Sequence, residues 1–205
     1  MKTVFLPSDE PDILLPALKV LKDGGLVAFP TDTVYGLGVM AFNPQAIVRL
    51  YQAKGRSSDN PVPVLIASAA ELPLVSSRTS PIAHRLAARF WPGPVTLVVL
   101  RRSSLPKEIS PTPTVGVRVP DHALAQALLT ATGPLAVTSA NRSGHPTSRT
   151  AAKALDGLDG RIELILDGGV TPGGKPSTVV DCTQSVPRIL RQGPIREQDI
   201  LESLA

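Results

Sequence analysis

Lys54 and Arg56 stand two residues apart in Ala53-Lys-Gly-Arg-Ser-Ser-Asp-Asn-Pro61, at what reads as the turn leaving a helix. Such a pair could neutralise and align an anion. Arginine offers a planar fork that fits phosphate or carboxylate, and lysine a movable point charge. Alone, the pair suits equally well a solvated helix end that complements the helix dipole. Arg118 lies mid-strand in Val115-Gly-Val-Arg-Val-Pro120, where an arginine is ordinarily an alternate position facing water. Thr138-Ser-Ala-Asn-Arg-Ser-Gly144 leaves another strand, and its Ser, Asn and Gly are common turn formers. Three more polar clusters are Pro30-Thr-Asp-Thr-Val-Tyr-Gly-Leu-Gly38, Pro176-Ser-Thr-Val-Val-Asp181 and Ile189-Leu-Arg-Gln-Gly-Pro194. All sit where strands end, which is where α/β folds concentrate binding sites.

Several other chemistries are excluded. Gly168-Gly169 and Pro172-Gly-Gly-Lys-Pro176 lack the Gly-x-x-x-x-Gly-Lys-Ser/Thr spacing of a Walker loop. They read instead as a flexible loop that could close over a ligand and keep water out. His84, His122 and His145 have no metal-ligand spacing. His84 reads as a helix-surface residue and His122 as a helix start. His145 lies in the 139–147 loop, where a plain loop residue is the first reading and contact with a ligand the second. The single cysteine, Cys182, supports neither a disulfide framework nor a cysteine-rich zinc site, and its strand-end setting predicts a buried structural thiol.

The elements that must position these residues follow from hydrophobic period and punctuation. With 205 residues, 42% hydrophobic, the chain can bury a core as one domain over 1–205. Aromatics are only 3%, so Leu, Val, Ile and Ala must build that core. Strands are expected at 3–6, 26–29, 61–67, 95–100, 115–119, 135–138, 162–166, 178–181 and 187–190. Helices are expected at 11–23, 43–53, 69–75, 81–90, 123–131, 149–155 and 197–203. Pro11 would sit in the first helix's first turn, and Asn43 would cap the second with Pro44 at its first position. Residues 31–38 and 103–113 read as loops, and the prolines at 61 and 63 point to an edge or bulged strand. Helices do not separate the strands regularly, which argues for a mixed α/β fold over a purely doubly wound one. The net charge of +4 favours anionic ligands by steering. No apolar run approaches the ~20 residues that span a bilayer. The first ten residues lack a signal-peptide core, so a cytoplasmic location is expected.

Taken together and in order, these clusters resemble the YrdC/Sua5 family of threonylcarbamoyl-adenylate synthases. The resemblance rests on Pro30–Leu37, the Lys-x-Arg of Lys54/Arg56, the Ser-x-Asn of Ser139/Asn141 and Trp91-Pro-Gly-Pro-Val-Thr96, and covers roughly residues 10–200. It implies an open, twisted mixed sheet flanked by helices, with a basic concave cavity. It implies a nucleotidyltransferase that forms threonylcarbamoyl-AMP and pyrophosphate from ATP, L-threonine and bicarbonate for tRNA modification. Lys54 and Arg56 would then be catalytic. Arg56, Asn60, Thr114, Ser139, Thr147 and Arg191 would bind ATP. Thr33, Arg118, Val137 and Ser177 would bind threonine, and Asn141 would fix its turn. Magnesium is expected with ATP, with no protein carboxylate assignable to it. The product would pass to the tRNA threonylcarbamoyl-transfer machinery. One departure stands out. Relatives carry a threonine-contacting histidine where this chain, in Asn60-Pro-Val-Pro-Val-Leu65, has Leu65.

Two rivals remain. Hydrogenase-maturation carbamoyltransferases contain a similar domain, but with zinc fingers that one cysteine cannot build; the longer synthases add a C-terminal domain for which this chain is too short. An RNA-binding module without catalysis would exploit the basicity, yet the chain lacks aromatic stacking platforms. Weak RNA binding is compatible as a secondary activity.

Overall fold

The computed structural model describes residues 2–7 and 12–204. Its strands are β1 (Val4–Leu6), β2 (Val27–Phe29), β3 (Gly36–Met40), β4 (Val64–Leu65), β5 (Ser76–Arg78), β6 (Val95–Arg101), β7 (Thr114–Arg118), β8 (Leu135–Ser139), β9 (Leu164–Leu166), β10 (Thr178–Asp181) and β11 (Arg188–Arg191). The helices are α1 (Leu14–Lys22), α2 (Pro44–Lys54), α3 (Leu72–Val75), α4 (Pro81–Phe90), α5 (Ala123–Thr132), α6 (Ala151–Leu158) and α7 (Glu197–Glu202). The strands form one sheet in the order β1-β9-β2-β3-β8-β4-β7-β6-β10-β11, with β5 paired to β6. Parallel pairs (β1–β9, β2–β9, β4–β7, β6–β10) occur in the same sheet as antiparallel ones, so the sheet is mixed, as expected.

Strand alternation divides the core. Leu37, Val39, Val64, Ile66, Leu97, Val99, Val115 and Val117 join Ile47 and Leu50 of α2, Leu86 of α4 and Leu158 of α6 on one face. On the other, Val27, Phe29, Leu65, Leu135, Val137 and Leu164 pack against Ala17 and Leu21 of α1 and Leu128 and Leu129 of α5. Burying each large aliphatic or Phe side chain contributes about 1.5–3 kcal/mol. This second layer ends at β4. Beyond it the same face continues as Gly116 and Arg118 on β7, Thr96 and Val98 on β6, and Val179 on β10, and these line a hollow instead of a core. The site exists because the second layer of helices is shorter than the sheet.

The helix signals behave as predicted. The Asn43 side chain accepts from the Ala46 N–H at 3.0 Å, Pro44 opens α2, and Gly55 closes it in a left-handed conformation at φ 60°. Pro11, with its neighbours 8–10, lies outside the described residues.

Four expectations need correction. The 31–38 stretch does not stay a loop: β3 begins at Gly36 and pairs with β2 and β8. Its glycines, which read as loop punctuation, are required by a close approach, since a Cβ on Gly36 would sit 2.7 Å from Val137 Cγ1. The 61–67 strand is neither an edge nor that long. β4 is two residues, central, between β8 and β7, and both prolines precede the paired positions. Ser76–Arg78, not expected as a strand, pairs with β6. Residues 103–113 are not wholly exposed, because Leu105 and Ile109 are buried, the latter ending a short 3₁₀ turn over Lys107–Ile109.

Candidate functional site

The hollow measures about 550 Å³, within the ~300–1,000 Å³ typical of small-ligand sites. Its floor is the outward face of β4, β6, β7, β8 and β10. Its walls are the 31–34 segment, the 56–63 loop, Pro176–Ser177 and Leu190–Arg191. Arg56, Arg118 and Arg191 all line it, and no described carboxylate does.

Arg118, expected mid-strand, is the last residue of β7, and all three of its guanidinium nitrogens are engaged. It is buried, not water-facing. Its Nε donates to Gly93 O at 2.9 Å and its Nη1 to Thr33 Oγ1 at 3.0 Å, and its Nη2 is ion-paired to Asp32. Burial lowers its pKa, and Asp32 opposes that shift. The proton on Thr33 can be traced. Thr31 Oγ1 donates to Val34 O at 2.7 Å, so in the 3.0 Å contact between the two threonines Thr33 is the donor. Thr33 therefore accepts from Arg118 and has no free proton for a ligand.

A second polar chain lines the same hollow. Thr96 and Ser177 share a hydroxyl–hydroxyl bond of 2.7 Å, and Arg191 donates to Ser177 O at 2.8 Å and Ser177 Oγ at 3.2 Å. Burial, then Arg118, then Arg56 lower the Arg191 pKa, so Arg191 feels the positive charge of both other guanidiniums. An anion would relieve that repulsion.

Lys54 and Arg56 part company. The left-handed Gly55 between them turns the chain, so Arg56 reaches the hollow while Lys54 points beneath it. Arg56 donates only to its own loop, Nε to Asn60 O at 3.3 Å and Nη2 to Pro61 O at 3.2 Å, and has no carboxylate partner among the described residues. Lys54 is 2% exposed and its Nζ donates to Ser139 O and Asn141 O. Burial, then Arg56, lower its pKa to about 7.

That lysine thus ties down the turn that carries Ser139 to the wall. The Lys54 carbonyl accepts from Ser143 N at 2.9 Å, and Asn141 Nδ2 donates to Arg142 O and His145 O at 2.8 and 2.7 Å. Asn141 fixes the turn, as its residue type suggested.

Of the sequence-predicted site residues, the structure brings Thr33, Arg56, Asn60, Arg118, Val137, Ser139, Ser177 and Arg191 to the hollow. Lys54 lies under it. Thr114, whose hydroxyl meets Thr112 Oγ1 at 2.8 Å, and Thr147 lie outside its wall, as does the exposed His145. Leu65 lines it beside Arg118, its partner in the β4–β7 register. The sequence reading assigned no role to Thr31, Asp32 or Thr96, though each falls within a motif it quoted. The 168–176 loop is anchored, not free: Tyr35 Oη donates to Gly169 O at 2.8 Å, Arg149 Nη2 to Thr171 O at 3.0 Å, and Gly174 N to Thr33 O at 2.6 Å. Cys182 is buried, and burial followed by Asp181 pushes its thiol up to about 12.

Comparison with known proteins bears directly on this geometry. The Sua5/YciO/YrdC family model, described as "Telomere recombination", matches residues 19–193. The Bacillus subtilis protein named threonylcarbamoyl-AMP synthase is 42% identical over 198 residues, 95% of this chain and 57% of its own length. A Mycobacterium tuberculosis relative is 40% identical over 192 residues, covering 93% of this chain and 88% of its own. The Pyrococcus abyssi Sua5 structure solved in complex with L-threonine superposes with a TM-score of 0.95 at 38% identity, over 98% of this chain and 61% of that one. The chain therefore spans little more than half the length of some relatives and most of others. On a match that includes every wall and floor residue of the hollow, this chain belongs to the Sua5/YciO/YrdC family.

Proposed function

We propose that the chain is an L-threonylcarbamoyladenylate synthase, a nucleotidyltransferase that makes threonylcarbamoyl-AMP and pyrophosphate from ATP, L-threonine and bicarbonate. The observation that carries this reading is the hollow itself: three arginines from distant segments, no carboxylate among the described lining residues, and two hydroxyl–hydroxyl pairs, Thr31–Thr33 and Thr96–Ser177, in its wall. The names of the relatives and the threonine complex of P. abyssi Sua5 support it.

The reacting species are all anions, so alignment and charge neutralisation are the chemical requirement. The α-amino nitrogen of threonine bonds to the bicarbonate carbon with loss of water, giving N-carboxy-threonine. A carbamate oxygen then bonds to the α-phosphorus of ATP as the bond to the bridging oxygen breaks, and pyrophosphate leaves with that electron pair. Arg118, with two N–H groups unused after its three protein bonds, holds the threonine carboxylate. A charge-assisted contact of this kind is worth about 1.5–3 kcal/mol. Arg56, Asn60 and Ser139, which line the same hollow, take the triphosphate, and Arg191, close enough to feel both Arg118 and Arg56, adds a third positive charge. Val137 shapes the floor. Leu65 makes the wall next to the carboxylate apolar.

Magnesium belongs to this reading as part of the ATP substrate. The described residues that line the hollow include no carboxylate, so no protein ligand for it is assigned. No described helix is long and apolar enough to cross a membrane. A cytoplasmic location and delivery of the product to a tRNA-modifying acceptor complete the proposal.

The test is pyrophosphate release from ATP, measured with and without L-threonine and bicarbonate. Dependence on both is expected. Release indifferent to threonine would reject the assignment.

A further inference from the structure

We infer that Asp32 is a positioning residue for the amino-acid end of the hollow: it fixes the Arg118 guanidinium in the orientation that receives a carboxylate. The inference deepens the function proposed above and rests on it.

Asp32 does not line the hollow, yet it is bonded to the arginine that does. The two side chains are 11% and 7% exposed, so Arg118 is buried and Asp32 largely so. Asp32 Oδ1 takes both the Arg118 Nη2 proton and the Asp121 backbone N–H, the latter at 3.1 Å. Its Oδ2 is buried without a hydrogen-bond partner among the described residues, so the charge of Asp32 is answered through Oδ1 alone. The anchor is itself braced from behind. Gly173 packs so closely that a Cβ there would lie 2.8 Å from Asp32 O and from Thr33 Cα, and Gly174 N holds Thr33 O.

A guanidinium has five N–H donors in a rigid plane. Gly93 O takes Nε, Thr33 takes one proton of Nη1 and Asp32 one of Nη2, which leaves one proton on each terminal nitrogen. Three anchors fix the plane. Gly93 and Thr33 are neutral acceptors, and Asp32 is the charged one, so it also offsets the cost of burying Arg118. Without it the guanidinium keeps its charge but loses the contact that sets its rotation. A ligand carboxylate must then be captured by a donor pair that is no longer preorganised.

The experiment compares Asp32→Asn, Asp32→Glu and Arg118→Met by pyrophosphate release, with KM measured separately for L-threonine and for ATP. Asp32→Asn should raise the threonine KM about tenfold or more while the ATP KM stays within about twofold, since only the amino-acid end loses preorganisation. Asp32→Glu keeps the charge but moves it by one methylene, and should give a smaller rise in the same KM alone. A purely structural role would shift both constants together or neither, and either result overturns the inference. Should Asp32→Asn fail to fold, Asp32→Glu carries the same comparison, and an unchanged threonine KM there overturns it. Arg118→Met separates the two levels. If it leaves the threonine KM unaltered, the amino-acid assignment fails and the inference with it. If it raises that KM while the Asp32 variants do not, the proposed function stands and the positioning role falls.

Discussion

Replacing Lys54 by methionine tests whether a buried ammonium holds the floor of the site. In the parent this lysine is 2% exposed and its pKa is drawn down to about 7, chiefly by burial. The folded protein therefore holds less of that proton than the unfolded chain between about pH 7 and the ordinary lysine value of 10.5. Stability must rise with pH wherever the unfolded state binds more protons. Methionine fills similar space without the proton, so the variant lacks this slope while every other titration is shared. At about 1.4 kcal/mol per pH unit, the parent should gain about 2–3 kcal/mol on the variant between pH 7 and pH 9. This is an upper bound, because Ser139 O and Asn141 O favour the charged form. Urea unfolding of both proteins at several pH values across that range measures the difference. Parallel stability curves would refute the reasoning and show that the two carbonyls keep the ammonium fully charged. The variant should also lose pyrophosphate release at every pH, since Ser139 rides on the turn that Lys54 secures.

Three further outcomes are expected. Gly36→Val forces a side chain into the 2.7 Å approach to Val137 Cγ1 and should cost about 1–3 kcal/mol in denaturant unfolding as well as narrowing the hollow. Thr114→Val and Thr147→Val, which alter residues outside the wall, should leave the ATP KM within about twofold, as steady-state kinetics would reveal. Cys182, buried and with its thiol raised to about 12, should resist an aromatic disulfide reagent at pH 8 in the folded protein and react once it is unfolded.

Much of the fold was legible because local rules governed it. Asn43-Pro44 and Gly55 bound α2 by capping and by a left-handed turn, both matters of residue type. Val95–Leu100 and Val115–Val119 read as strands, and they pair as β6 and β7. Where the reading failed, the deciding contact was distant. Gly36 and Gly38 look like loop residues until Val137 and Phe29 are packed over them. Pro61 and Pro63 look like edge markers until β4 shrinks to two residues inside the sheet.

The sequence by itself determined most of the parts: the majority of the strands and helices, that strand ends carry Arg, Ser, Asn and Thr, and that the sum is cationic. Those properties are set by side-chain chemistry and by periods of two and 3.6 residues. Only the tertiary structure decided what each part does. Lys54 and Arg56 are neighbours in the chain, yet one supports the turn of Ser139 and the other faces the hollow. Asp32 and Arg118 are 86 residues apart, yet form one buried unit. The physical reason is that a charge acts over a few ångströms through whatever the fold brings near. Here the fold leaves part of one sheet face without a covering helix, and that uncovered face gathers the arginines.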